Sequence, residues 1–200
     1  VRSNTSNGIS AKLRITLQII ITLIFIYWIS NYHSIDIRLL SLPILKDAFI
    51  NLGLFGIPFT LIVVLGSANA VNLTDGLDGL AIVPVMIVAA TFAVICYLAG
   101  HIIFSEYLYI NYLPGAGELT VVCAAIIGSA LGFLWYNAPP AMVFMGDTGS
   151  LSLGASIGAI SVLIKQEIVL AIVGGIFVAE AVSVILQVGS YKMTGKRIFK

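Results

Sequence analysis

Apolar and polar positions alternate along this chain in long blocks. Six apolar stretches, at residues 15–30, 52–70, 80–100, 119–135, 151–164 and 168–188, are separated by polar or turn-forming residues. Several approach the roughly 20 residues that a bilayer-crossing helix needs. The first and fifth are shorter, and are expected to recruit flanking residues or to be sheltered by neighbours. Backbone groups in lipid have no water to bond, so uninterrupted runs of this kind predict helices rather than an open sheet. The predicted fold is all-α, a polytopic integral membrane helical bundle of about six transmembrane helices. No repeat, low-complexity tract or linker divides it, and one helical domain over 1–200 is the simplest account.

Composition sharpens this picture. The chain is 60% hydrophobic and 10% charged, whereas a soluble domain carries about 25% charged residues. Its mean hydropathy is +1.08, which excludes an ordinary soluble domain. The chain opens at Val1 without an initiator methionine and closes at Lys200 in a basic run. An interior piece of a longer protein is expected. The stretch 15–30 imitates a signal peptide, but no small-residue cleavage site follows and five more spans do, so that is the weaker reading. Cys96 and Cys123 fall inside apolar stretches without ligand spacing and are expected to serve packing.

Charge orients the bundle. With six spans, Arg2, Lys12, Arg14, Lys192, Lys196, Arg197 and Lys200 lie on one side, against Arg38, Lys46 and Lys165 on the other. The positive-inside bias places the first group, and with it the loops after the second and fourth spans, in the cytoplasm. Parity alone puts Asp75, Asp78 and Asp147 at the same membrane face. The opposite face has longer connections, 31–50 and 101–118, where Tyr107, Tyr109 and Tyr112, with Trp28, fit an interfacial aromatic belt. His33 and His101 lie in these loops without clustered partners and are expected to be structural or solvated.

The candidate chemistry sits in two acidic clusters, Asn69-Ala-Val-Asn-Leu-Thr-Asp75-Gly-Leu-Asp78-Gly and Phe144-Met-Gly-Asp147-Thr-Gly-Ser150. A carboxylate at the end of a lipid-embedded segment is costly unless it meets water, a cation or a partner. Asn72, Asp75 and Asp78 recur every three residues, which on a helical turn places each beside the next. Gly76 and Gly79 let the backbone turn sharply or approach a ligand. A solvated loop with Asx or capping aspartates is the competing reading of this cluster. Asp147 precedes a span, where an aspartate can hold a metal or simply cap the helix. Magnesium takes one or two carboxylates and completes its shell with water and phosphate oxygens. Asn137, beside Pro139 and Pro140, can recognise a planar base together with Phe144, or can satisfy backbone around the prolines.

Glu180 is the one acid deep within a predicted span, either lining a wet groove or hydrogen-bonded in the bundle. The basic arm from Lys192 to Lys200 either fixes topology or attracts anionic lipid headgroups. No GxGxxG or Walker pattern, nucleophilic Ser-His-Asp set or zinc arrangement is found, and no nucleic-acid partner is expected.

These motifs carry a resemblance. The segments 69–81, Gly132-Phe-Leu-Trp-Tyr-Asn137 and Val143-Phe-Met-Gly-Asp-Thr-Gly-Ser-Leu151 resemble the polyprenyl-phosphate N-acetylhexosamine-1-phosphate transferase superfamily. Gly8-Ile-Ser-Ala-Lys12, Ala116-Gly-Glu-Leu-Thr-Val-Val-Cys123, Ile185-Leu-Gln-Val-Gly-Ser-Tyr-Lys192 and Gly195-Lys-Arg-Ile-Phe199 look like its muramoyl branch. The resemblance implies transfer of phospho-MurNAc-pentapeptide from UDP-MurNAc-pentapeptide to undecaprenyl phosphate, yielding lipid I and UMP. It further implies Mg²⁺, a membrane-lipid setting and a homodimer. The expected location is the bacterial inner membrane, with the active site on the cytoplasmic face.

By motif position, Asp147 looks like the magnesium ligand and Asp75 a catalytic-site carboxylate near the phosphates, with Asn72 in support. Gly76, Leu77, Asp78, Asn137 and Phe144 look like the uridine pocket, Phe144 stacking on uracil. Arg14 stands where relatives often carry a lysine close to the active site. An adjacent aspartate pair and a histidine-rich loop of the superfamily have no counterpart within 1–200, so this piece alone is expected to be inactive and its full-length parent to be the enzyme. A related N-acetylglucosamine-1-phosphate transferase, an ion-coupled secondary transporter using Asp75, Asp78 and Glu180, and a non-catalytic scaffold are the competing classes.

Overall fold

The computed structural model describes residues 9–32, 35–43, 46 and 48–195. Arg2, Gly8, His33, Lys196, Arg197, Phe199 and Lys200, which enter the reading above, lie outside the described residues. Apolar sequence becomes helix throughout: α1 (Ala11–Tyr32), α2 (Gly56–Thr74), α3 (Ile82–Ala99), α4 (Ile102–Tyr107), α5 (Leu119–Asn137), α6 (Gly146–Leu163), α7 (Glu167–Val173) and α8 (Gly175–Thr194). Among the described residues, α1, α2, α3, α5 and α8 are each long and apolar enough to cross a membrane. The all-α polytopic membrane fold is therefore present.

Two details follow the sequence reading and two differ from it. The short first stretch recruits flanking residues as expected, beginning at Ala11. The fifth likewise recruits flanking residues, beginning at Gly146, five residues earlier than its apolar run, and its polar residues from Ser150 onward are sheltered by neighbours. Its buried set includes Ser150, Gly154, Gly158 and Ser161. The sixth stretch is divided at Gly174 into α7 and α8. The connection 31–50 also contains structure that helical periodicity did not announce. Strands β1 (Leu39–Ser41) and β2 (Phe49–Asn51) pair antiparallel, with Leu40 opposite Ile50.

Glycine sets the central contact. A Cβ on Gly154 would meet the backbone oxygen of Ser67 at 2.5 Å and the Ala68 Cα at 2.7 Å. One at Gly158 would meet the Ser67 hydroxyl and the Val64 Cα. The α2 and α6 backbones thus touch along a seam of small residues, running antiparallel, as small interface residues permit in membrane bundles. Around it a core gathers Val71, Val85, Val88, Phe92, Ile157 and Ile160. Cys96 and Cys123 are buried in the same core with free thiols, so the packing role expected of them holds.

The ends of these helices fix the two faces. Arg14 at the start of α1 pairs with Asp147 at the start of α6, Asn72 at the end of α2 reaches the same carboxylate, and Asn137 at the end of α5 meets Gly79 before α3. At the other face, Lys165 after α6 donates to the β1 carbonyl of Leu39 at 3.1 Å. The parity argument is borne out: Asp75, Asp78 and Asp147 share one face. Tyr107, Tyr109, Tyr112 and Trp28 are exposed, as an interfacial belt requires, and His101 lies against the Phe104 ring with 4.6 Å between centroids.

Candidate active site

Asn72 lies in the last turn of α2, and Asp75 ends that helix, its N–H still donating to the Val71 carbonyl at 3.1 Å. Beyond it the chain turns through Gly76–Leu80. Gly79 adopts φ +72°, a conformation that side chains rarely tolerate, and donates its N–H to the Asn137 Oδ1 at 3.0 Å. Asp78 accepts from the Ala141 N–H at 3.0 Å. The loop after α2 is thereby tied to the loop after α5 by two hydrogen bonds.

The second loop is closed by the same amide. Asn137 is only 3% exposed, and its Nδ2 donates to the Val143 carbonyl at 2.9 Å. Both ends of this side chain bond backbone, which supports the two loops, and the residue also lines the cleft. Phe144 follows with 72% of its surface exposed. Gly146, at φ +65°, then starts α6, with Asp147 in the first turn. Asp147 is not the cap: Met145 occupies that position without a side-chain cap bond.

Instead the Asp147 carboxylate is shared. Its Oδ2 accepts from Arg14 Nη1 at 2.8 Å and its Oδ1 from Asn72 Nδ2 at 3.1 Å. Asn72 Nδ2 also donates to the Ser150 hydroxyl at 2.8 Å, locking the end of α2 to the first turn of α6. The Asp147 side chain remains 68% exposed. Burial and the nearby Asp147 carboxylate raise the Asp75 carboxyl above its ordinary pKa.

Asn72, Asp75, Gly76, Leu77, Asp78, Asn137, Phe144 and Asp147 line a single cleft of about 210 Å³, together with Gly146. The candidate site residues are thus brought to one place, with Gly79 beside it through its bond to Asn137. Glu180 is half-buried in α8 and is not among the residues lining the cleft. Among the described residues no group of three or more His, Cys, Asp and Glu is placed to hold a metal. The cleft offers three carboxylates as hard oxygen donors, Asp75 and Asp78 half-buried and Asp147 open to solvent. That donor set fits a cation which keeps its waters and accepts oxygens from a phosphate.

Of the larger cavities elsewhere, those of about 270 Å³ between α2, α6, α7 and α8 and about 550 Å³ between α1, α2 and α6 are almost wholly apolar, while one of about 650 Å³ at the opposite face is partly polar, lined by Asp36 and Arg38. The acidic cleft is smaller and gathers the three motif aspartates, Asp75, Asp78 and Asp147. Sequence reasoning did not foresee that Arg14 pairs with Asp147. Its position in the basic arm before the first span was the available signal, but the partner 133 residues away was not legible.

An all-α polytopic membrane protein with an acidic cleft where several span ends converge is the class that this architecture defines. Within that class, the chain belongs to glycosyl transferase family 4, whose sequence profile matches residues 6–165. A relative from Pelagibacter ubique is 57% identical across the whole chain. One from Ruegeria pomeroyi is 56% identical across the whole chain, and one from a Ruegeria species is 54% identical over 99% of it. All three are named phospho-N-acetylmuramoyl-pentapeptide-transferase. The chain spans just over half of these curated relatives, 55–56% of their length. The resemblance drawn from the motifs is borne out at family level.

Proposed function

We propose that the full-length protein containing this chain transfers phospho-MurNAc-pentapeptide from UDP-MurNAc-pentapeptide to undecaprenyl phosphate, giving lipid I and UMP. The reaction exchanges one phosphoanhydride bond for another and needs no oxidant or reductant. The single observation that carries this reading is the convergence of Asp75, Asp78, Asp147, Asn72, Asn137 and Phe144 on one cleft at the ends of lipid-crossing helices. A soluble nucleotide and a lipid-tethered phosphate meet at that depth. The names of the relatives supply the sugar and its peptide. The positive-inside bias of the basic arms supports a cytoplasmic setting for the cleft, and the bacterial sources of the relatives support an inner-membrane one.

Phosphoryl transfer between anions depends mainly on positioning and on neutralising charge. Asp147 would hold Mg²⁺, which supplies positive charge against the diphosphate. Asn72, bonded to both Asp147 and Ser150, keeps the carboxylate oriented. Asp75 faces the phosphates. Phe144 gives its exposed ring to the uracil, with Gly76 and Leu77 allowing close approach, while Asp78 and Asn137 hold the two loops of the pocket at a fixed separation. A homodimer belongs to the same proposal and is checked by cross-linking in native membranes.

The test is UMP release by the full-length protein, with and without Mg²⁺, given undecaprenyl phosphate and the UDP-linked pentapeptide. Mg²⁺-dependent UMP with formation of the lipid-linked sugar is the expected result. UMP only from UDP-N-acetylglucosamine would transfer the reading to the related sugar-phosphate transferases. Ion-coupled transport without UMP would replace it with a transporter.

A further inference from the structure

Arg14 brings more hydrogen-bonding capacity to the cleft than its bond to Asp147 uses. Its Nη1 lies 2.8 Å from Asp147 Oδ2, and its side chain is 32% exposed. The Arg14 Nε is buried and has no partner. One turn further along α1, the Gln18 Nε2 is likewise buried and unpartnered. The Gln18 orientation is set from outside. Asn69 Nδ2 donates to the Leu65 carbonyl at 2.8 Å and to Gln18 Oε1 at 3.0 Å, so Gln18 turns its oxygen to Asn69 and leaves its N–H₂ unspent. Buried donors without acceptors are costly, and two on the same edge of one helix point to an anionic or carbonyl oxygen as their missing partner.

The charge arrangement says when that oxygen arrives. A guanidinium stays protonated at all relevant pH values, so it and a divalent cation compete for the same Asp147 carboxylate. Asn72 holds the other carboxylate oxygen, leaving the Arg14 position as the one to be vacated. Arg14 and Gln18 also line the cleft end of an apolar groove of about 550 Å³ between α1, α2 and α6. The groove places these donors where a phosphate carried on a lipid would enter.

Resting on the assignment of Asp147 as the cation ligand, we propose that Arg14 exchanges partners: a divalent cation displaces its guanidinium from Asp147, and the freed guanidinium, with the Gln18 amide, takes a phosphate oxygen. The positive charge that first occupies the carboxylate is thereby reused as an anion clamp. The chemistry recognised is a phosphate oxygen, and the arms of the test separate the lipid phosphate from the nucleotide diphosphate.

Mn²⁺ binding to the full-length protein without substrates, followed by electron paramagnetic resonance, reads the first half. Arg14→Gln is expected to bind Mn²⁺ about fivefold more tightly, because the competing ion pair is gone. Steady-state kinetics read the second half. The same variant is expected to raise the KM for undecaprenyl phosphate on the order of tenfold, with little change for the UDP-linked substrate. A rise confined to the UDP-linked substrate would assign the clamp to the diphosphate instead of the lipid.

Unchanged or weaker Mn²⁺ binding in Arg14→Gln, or two unchanged KM values, overturns the proposal. Arg14→Lys keeps the charge but loses the fork of donors, and is expected to shift both quantities in the same directions by less. It carries the test if Arg14→Gln does not fold. Asp147→Ala separates the two levels of inference. Retained Mn²⁺ binding in that variant defeats the assignment of the ligand, whereas lost binding there with no effect of Arg14→Gln defeats only the exchange.

Discussion

Asp147 and the Lys165–Glu167 pair stand at opposite ends of α6 and show two fates of charge at a bilayer edge. At the cleft, Asp147 is mostly exposed, has a second carboxylate beside it, and is neutralised by a guanidinium whose buried Nε has no partner. At the far end, Lys165 is buried and donates to the Leu39 carbonyl, holding the β1–β2 hairpin against the turn between α6 and α7. Glu167 beside it is 6% exposed, and burial pushes its carboxyl up to about 7. Charge sealed from water is held in place by the fold, even with the Glu167 Oε2 buried and without a partner, whereas charge open to water is available to a ligand. Exposure, more than residue type, separates the two ends.

The contrast breaks most sharply at Asp147. In the full-length protein, Asp147→Ala is expected to lower turnover by on the order of 10² or more. Its thermal midpoint should move little, since the side chain is largely exposed. Near-normal turnover with unchanged Mg²⁺ dependence would reject the role given to it. Lys165→Met should do the reverse, reducing stability by about 1–3 kcal/mol through the lost buried hydrogen bond while leaving turnover per folded molecule near that of the parent. Denaturation in detergent beside an activity assay tests both variants, and a Lys165 effect on turnover alone would dissolve the comparison.

Phe144→Ala is expected to raise the KM for the UDP-linked substrate by about tenfold, with Phe144→Trp close to the parent, as base stacking requires. Equal values for all three would take uracil away from this ring.

The smallest effects are in pH. Asp75 and Glu167 both have raised pKa values, so the fold favours their protonated forms. Each therefore subtracts stability as pH rises through the interval between its unfolded and folded pKa. For Glu167 that interval runs from 4.5 to about 7. Mg²⁺ should restore the loss at the Asp75 end and leave the Glu167 end untouched. Thermal midpoints against pH, with and without Mg²⁺, measure it, and Glu167→Gln should flatten the remaining slope.

Much of this arrangement was legible in the sequence because lipid imposes a strict rule: apolar runs must be helices and must alternate direction. That rule alone brought Asp75 and Asp147 to one face across seventy-odd residues. What escaped it depended on tertiary shelter. The start of α6 at Gly146 lies outside any apolar run, its first turn held by the Asn72 bonds to Asp147 and Ser150. The break at Gly174 and the short β1–β2 pair arise from local packing against neighbours. Lys165 entered the reading only as a topology charge, and Glu167 did not enter it at all. Two opposite charges two residues apart, between the fifth and sixth apolar stretches, were the overlooked signal. The Asn137 amide was read as an alternative between base recognition and backbone support, and only coordinates could show both its ends occupied by Gly79 and Val143.

The glycine seam between α2 and α6 has one more consequence. Asn72 and Asp147 are joined at the end of that seam, and one residue of helix advances about 1.5 Å along its axis. A slip of a single step would part the 3.1 Å bond between them. The distance between Asn72 and Asp147 is therefore gauged by two abutting rods, while the Asp78 and Asn137 bonds set the loops around them.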